Sequence, residues 1–354
     1  MMNPEHSSID ELLTIDTIKE KILPKYSIYN ADISIVKIKD TTKQRAVFKI
    51  NYNNSSYCIK KVYYDEANLL FVYSAMEWVY RNGIKVPKLL PANNGNRYVI
   101  YNNMLFILTY WIEGDKCDFD NIYHLYLSSK TLGKLHKSSK NFTAISGSAK
   151  RETLNDYHLT LSKHFNSILK CANLASNYQD KFSKLFLKKL DYNLELAKIA
   201  LALTSSMDRN DLSTSLCHGD YVNKNILINN DSVCIIDFDK CSYDYCAHDI
   251  AYFLRRLLKR PSSNWNTSLT LQFLDSYEEH NILTESDLKY IIAYLAFPQK
   301  FWKISRDYYN NIKKCNPISF YTLLEKGLER SENQLDYIYR LIRLITYKYG
   351  IKLL

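Results

Sequence analysis

Apolar and polar residues alternate with a period of two through residues 31–63 of this chain, the signature of strands with one buried face. Three strands follow from it: Ile33-Ser34-Ile35-Val36-Lys37-Ile38, Ala46-Val47-Phe48-Lys49-Ile50 and Tyr57-Cys58-Ile59-Lys60-Lys61-Val62. Asn53-Asn54-Ser55-Ser56 supplies the turn before the third. The period then lengthens to that of a helix from about Asp65 to Arg81, which Asn82-Gly83 stops. Two more strands are expected at 97–101 and 104–111. Ahead of them all, residues 8–22 read as a short amphipathic helix opened by Ser8, with Asp10 and Glu11 in its first turn. The order β-β-β-α-β-β suits a small twisted antiparallel sheet carrying one helix.

Beyond Glu113-Gly114-Asp115 the texture becomes helical. Helices are expected at about 120–138, 154–172, 178–204, 245–259, 266–280, 285–306 and 317–347. This divides the chain into a helical segment at 1–24, a sheet-rich domain at 25–113 and a helix-rich domain at 114–354. A chain of 354 residues is long enough to bury the cores that such a division needs.

One interruption of the helical texture carries chemistry. His218-Gly219-Asp220-Tyr221-Val222-Asn223-Lys224-Asn225 leads into Ile226-Leu227-Ile228, and Ser232-Val233-Cys234-Ile235-Ile236 leads out to Asp237-Phe238-Asp239. Asn229-Asn230-Asp231 between the two apolar runs tolerates turn geometry, so the pattern is a β-hairpin. Its ends should gather Asp220, Asn225 and Asp237. Asp220 can accept the proton of an attacking hydroxyl, while Asn225 and Asp237 offer the hard oxygen ligands that Mg²⁺ prefers. That set is what phosphoryl transfer from ATP requires. A blander reading makes them ordinary turn and strand-end residues. His218 is expected to anchor the loop through a hydrogen bond to a backbone carbonyl, and Asp249 to cap the next helix or tie the loop down.

A nucleotide also needs a cation. On the third strand Cys58, Lys60 and Val62 share a face, which makes Lys60 the expected phosphate ligand; Lys61 takes its place if the register slips by one. Glu77 lies on a helix stripe with Leu70 and Tyr73, from which it can pair with Lys60, and Glu66 lies one turn earlier on that stripe. Backbone groups at Trp111 and Ile112 are expected to meet adenine, with plain packing as the other role for Trp111. All eight glycines lie at or after Gly83. The loop Asp40-Thr41-Thr42-Lys43-Gln44-Arg45, expected over the phosphates, therefore has side-chain donors in place of glycine amides.

The chain resembles the kinase-like phosphotransferase superfamily that includes aminoglycoside phosphotransferases and choline kinases. The likeness is carried by Val47-Phe48-Lys49-Ile50, the lysine strand, Tyr110-Trp111-Ile112-Glu113-Gly114, Leu132-Gly133-Lys134-Leu135-His136-Lys137, the hairpin motif and Phe297-Pro298-Gln299-Lys300-Phe301-Trp302-Lys303. Within that superfamily it is most similar to the spore-coat CotS-type proteins of spore-forming bacteria. The resemblance implies an α+β, two-lobed protein-kinase-like fold with a small antiparallel-sheet N-lobe and a large, mainly helical C-lobe. It implies ATP and Mg²⁺ as cofactors, a cytoplasmic or spore-coat location, and other coat proteins as partners. Eleven residues separate Asp237 from Asp249 and no Ala-Pro-Glu follows, so there is no room for the peptide-docking segment of a protein kinase. A small hydroxylated molecule is the expected acceptor: a sugar, amino-sugar or amino-alcohol. A kinase-fold coat protein without turnover is the competing class.

Composition narrows the rest. No apolar run approaches the roughly 20 residues of a membrane span, and the start lacks the basic and apolar regions of a signal peptide. The net charge of +10 favours a nucleotide or an acidic partner. The basic runs Lys181–Lys189 and Arg255–Arg260 read as solvated helix faces, and no nucleic-acid module accompanies them. Among the eight cysteines, Cys217, Cys234, Cys241 and Cys246 cluster in sequence but lack zinc-binding CxxC spacing. They read as buried, reduced thiols.

Overall fold

The computed structural model describes residues 13–39, 45–329 and 331–354. The chain folds into two compact units. The first comprises the described residues up to Lys116 together with Asn141–Arg151 and Asn225–Cys241; the second comprises Cys117–Lys140, Glu152–Lys224 and Ser242–Leu354.

The first unit is built on an antiparallel sheet of β1 (Asp32–Lys39), β2 (Arg45–Tyr52), β3 (Ser55–Lys61), β4 (Val99–Tyr101) and β5 (Met104–Tyr110), in the order β1-β2-β3-β5-β4. The register aligns Phe48 with Ile59 and Ile59 with Leu108. These three are buried on one face, each stabilising the sheet by roughly 1.5–3 kcal/mol. Lys60 pairs with Val47 and Ile107 and so stands on the opposite face. The sheet core is closed by Ile18, Ile22 and Leu23 of the N-terminal helical run. That run differs from the single helix expected over 8–22. Residues 8–12 lie outside the described part; from there Ile15–Thr17 is α-helical, Ile18–Ile22 is wound as a π-helix and Leu23–Tyr26 as a 3₁₀ turn.

The helix Glu66–Arg81 begins at Asp65, whose carboxylate accepts the Asn68 amide at 2.9 Å. Its apolar stripe accounts for the later segment 141–151. Phe142 meets the rings of Phe71 and Trp78 edge-on at 5.5 and 5.8 Å. The Ile145 amide donates to Ser74 Oγ at 3.1 Å, and the Ala149 amide to the Ala67 carbonyl at 2.8 Å.

The second unit is mainly helical, with one two-stranded ladder, Thr214–Cys217 against Ser242–Tyr245. Three of the long helical stretches expected from periodicity are each two helices. Lys181–Lys188 and Leu190–Ser205 break at Lys189. Glu285–Ala296 and Gln299–Asn310 break at Pro298, which has no amide to continue the ladder. Pro317–Glu329 and Gln334–Tyr349 are likewise separate. The helix Ile122–Ser138 packs tightly on Thr267–Glu278: a Cβ at Gly133 would collide with the Tyr277 carbonyl oxygen. Among the described residues no helix is long and apolar enough to cross a membrane.

Candidate active site

The expected hairpin is present in the first unit, with Ile226–Asn229 paired to Ser232–Ile235. Asn230 turns the chain with a left-handed φ of 51°. The ladder extends by one bond, from the Ile236 amide to the Asn225 carbonyl at 2.9 Å. Asn225 and Asp237 therefore stand at the same open end of one hairpin. Asp237 itself is left-handed, with φ 67° and ψ 58°, a conformation Asp tolerates better than most residues. The backbone turns sharply there, and Asp239 comes round as well.

Lys60 reaches this spot from the face of β3 opposite the core. Its Nζ lies 2.7 Å from Asp237 Oδ1 and 2.7 Å from Asp239 Oδ1. Burial works against the ammonium charge, but the two carboxylates overcome it and hold the Lys60 pKa above its ordinary value. Lys61 pairs instead with Ala46 and Phe106, and its pKa is lowered by burial. The Lys60–Glu77 pair expected from helix spacing is not formed. Glu77 bonds Arg81, one turn along its own helix, at 2.8 Å, and Glu66 accepts the Tyr98 hydroxyl.

Asp239 plays the part expected of Glu77. It is 3% exposed. Its Oδ1 accepts from Lys60 and from the Tyr64 hydroxyl, the latter at 3.3 Å. Arg151 donates to its backbone carbonyl at 2.7 Å. Its Oδ2 is buried without a hydrogen bond, with the Arg45 guanidinium 3.6 Å away. A second acid two residues after Asp237 was the available signal. The carboxylates of Asp237 and Asp239 and the side-chain carbonyl of Asn225 offer hard oxygen donors at this end of the hairpin. The set fits a divalent cation such as Mg²⁺.

Trp111 and Ile112 follow β5 in irregular backbone. The Trp111 amide is committed to the Ser56 carbonyl at 2.9 Å, and Lys49 Nζ stands 4.8 Å over its ring. A Cβ at Gly114 would come within 3.1 Å of the Ile228 carbonyl oxygen, so the linker runs close against the hairpin. Residues 40–44 of the loop expected over the phosphates lie outside the described part.

Asp220 belongs to the second unit, and the chain passes into the first between Lys224 and Asn225. Asp220 follows the strand Thr214–Cys217 through Gly219, which has a left-handed φ of 72°. Asp249 ties this loop down. Its carboxylate accepts the His218 amide at 2.6 Å and the Gly219 amide at 2.9 Å, and His136 Nε2 lies 3.4 Å away. Burial opposes the Asp249 charge, but His136 and the neighbouring histidines hold its pKa below the usual carboxylate range. His218 Nδ1 accepts the Asp220 amide at 3.2 Å, so this contact anchors the loop through an amide where a carbonyl was expected. Asp220 accepts the Tyr252 hydroxyl at 3.2 Å and has Lys224 Nζ at 3.9 Å.

Residues 34–283, which contain all of these groups, match the phosphotransferase enzyme family. The chain belongs to that family. A homoserine kinase of Bartonella henselae is 24% identical over 228 residues, or 64% of this chain, and the chain spans 65% of that kinase's length. Among solved structures, an aminoglycoside phosphotransferase from Alicyclobacillus acidocaldarius superposes with a TM-score of 0.76 at 19% identity, covering 93% of this chain and 97% of that one. A spectinomycin phosphotransferase solved with ADP and spectinomycin gives 0.63 at 16% identity, covering 90% and 98%. An amicoumacin kinase solved with AMP-PNP and Ca²⁺ gives 0.63 at 15%, covering 94% and 96%. The fold of this family member is thus kinase-like, with an antiparallel-sheet N-terminal part and a helical C-terminal part.

Proposed function

We propose that this chain is an ATP- and Mg²⁺-dependent phosphotransferase acting on the hydroxyl of a small molecule. The observation that carries this reading is the junction of Lys60 with Asp237 and Asp239 at the open end of the hairpin that also bears Asn225. Asp220 is the general base that accepts the hydroxyl proton, with its carboxylate oriented by Tyr252. Asn225 and Asp237 would hold the metal. When bound with ATP, Mg²⁺ neutralises the charge that develops on the phosphate oxygens. Lys60 would exchange a carboxylate partner for a phosphate oxygen, and backbone groups of Trp111 and Ile112 would meet adenine. Positioning and charge neutralisation supply most of the acceleration.

An amino-alcohol or amino-sugar acceptor is supported by the relatives, one a homoserine kinase and others phosphotransferases of aminoglycosides and spectinomycin. A thermal-shift titration with Mg²⁺-ATP should raise the apparent stability, and an ADP-release assay over such acceptors should reveal turnover. Absence of both nucleotide binding and turnover across that panel would refute the reading.

The location we propose is the cytoplasm of a sporulating cell, with association to the spore coat and its proteins. This rests on the likeness to CotS-type proteins, including the segment Phe297–Lys303. Immunoblotting of purified coat extracts tests it: the chain should be enriched there relative to the soluble core fraction. A coat role without catalysis would leave assembly intact in Asp220→Ala and show no ATP binding by calorimetry.

A further inference from the structure

The four cysteines that cluster in sequence are sorted by the fold. Cys234 and Cys241 belong to the first unit, while Cys217 and Cys246 belong to the second. There Cys217 ends a strand and Cys246 opens the helix Cys246–Leu258. His136, in the last turn of the helix Ile122–Ser138, completes the group. One ligand atom from each of the three lies within 4.8 Å of the other two, and none of these residues is more than 1% exposed. Among the described residues this is the single such cluster of metal-ligating side chains.

The surroundings have the form of a metal site. His136 Nδ1 is engaged by the Tyr277 hydroxyl at 2.8 Å, which in turn accepts from Asn281 at 2.7 Å. Such an outer bond fixes the ring and presents the other nitrogen. That nitrogen, Nε2, faces Asp249 Oδ2 at 3.4 Å. Two sulfurs and one imidazole nitrogen are thus held together by three separate elements in a dry interior, with a carboxylate oxygen beside the imidazole. Cys246 lies at a helix N-terminus, where the backbone amides favour a thiolate. Sulfur and imidazole together select a borderline-soft ion over Mg²⁺ or Ca²⁺. Tetrahedral zinc, with bonds of about 2.0–2.3 Å, sets its ligands about 3.3–3.8 Å apart.

We propose that His136, Cys217 and Cys246 bind one Zn²⁺ in a buried, structural site behind the loop that carries Asp220, with the Asp249 carboxylate beside the imidazole. Cys217 adjoins His218 in sequence, and Asp249 holds the His218 and Gly219 amides. The ion would therefore brace both ends of the turn that sets Asp220. The proposal concerns the second unit alone and does not depend on the chain being a phosphotransferase.

Metal analysis of the full chain, purified under reducing conditions and dialysed against metal-free buffer, should find about one zinc per chain. Exchange with Co²⁺ should produce a thiolate-to-cobalt charge-transfer band and the visible bands of tetrahedral cobalt. Cys217→Ser and Cys246→Ser should each weaken that band and lower retained zinc at least tenfold, while Cys234→Ser leaves both unchanged. If the serine variants do not fold, the wild-type spectrum decides. A wild-type chain that retains no zinc and shows no cobalt–thiolate band overturns the proposal. So does binding that survives in the Cys217→Ser/Cys246→Ser double variant or that is lost in Cys234→Ser.

Discussion

Two carboxylate centres in this molecule use the same chemistry to opposite ends. Asp237 and Asp239 meet a lysine, and the cluster stays open: the Asp237 side chain is 29% exposed and Asp239 Oδ2 has no hydrogen bond. Asp249 is 1% exposed and spends its oxygens on two backbone amides and a histidine. Charges balanced against another side chain can be traded for a ligand. Charges balanced against the backbone fix a loop. The first centre should therefore govern binding and turnover, and the second stability.

The comparison is broken most severely at the loop. Asp220→Asn should lower turnover about 10²–10⁴-fold, the range for loss of a general base, with nucleotide binding retained in calorimetry. Turnover within threefold of wild type would remove Asp220 from the chemistry. Asp249→Ala leaves two amides and an imidazole buried without their partner, and should cost about 3–5 kcal/mol in urea unfolding. A loss below about 1 kcal/mol would mean that the loop does not need this anchor.

The lysine junction sharpens the contrast. Lys60→Met should reduce kcat/KM about 10–100-fold, the equivalent of one charge-assisted bond of about 1.5–3 kcal/mol. Glu77→Ala removes an ion pair within one helix and should change stability and activity by no more than about 0.5 kcal/mol. Equal effects at both positions would restore Glu77 as the lysine's partner in the working enzyme.

A smaller effect than at Asp220, Asp249 or Lys60 is expected away from both centres. Asp180 caps the helix Lys181–Lys188, accepting the Ser183 amide at 3.0 Å, the Ser183 hydroxyl at 2.8 Å and the Tyr308 hydroxyl at 3.1 Å. Burial works against its charge, but these bonds hold its pKa below the ordinary carboxylate value. A depressed folded-state pKa gives a contribution that is complete above the unfolded value of about 3.9 and lost as pH falls through the folded one. Asp180→Ala should cost about 1 kcal/mol at neutral pH, and the gap to wild type should shrink in urea melts near the acid limit. A gap that widens with acid would contradict the assignment.

The strands, the helix Glu66–Arg81 and the hairpin were legible because each buries one face, and a buried face writes its period into neighbouring residues. The long helical stretches were legible in kind but not in number. A break at Lys189 leaves the apolar period almost undisturbed, so periodicity runs through it. Asp237 and Asn225 could be read as hairpin-end residues because a hairpin joins its own ends. Glu77 was misassigned as a partner for Lys60 because helix spacing says which residues share a stripe, not what the stripe faces.

Sequence alone determined the alternation that makes Lys60 face away from the sheet core, the hairpin that sets Asn225 beside Asp237, and the residue types suited to phosphoryl transfer. Those are consequences of local periodicity and turn chemistry, which act over a few residues. Tertiary structure decided that Asp239 joins Asp237 on Lys60, that Asp249 ties down the His218–Gly219 amides, and that Cys217 and Cys246 meet His136 while Cys234 and Cys241 do not. These pairings span from about 30 to nearly 180 positions in the chain. They depend on which faces pack together, and that is set by burial summed over whole elements, not by any local signal.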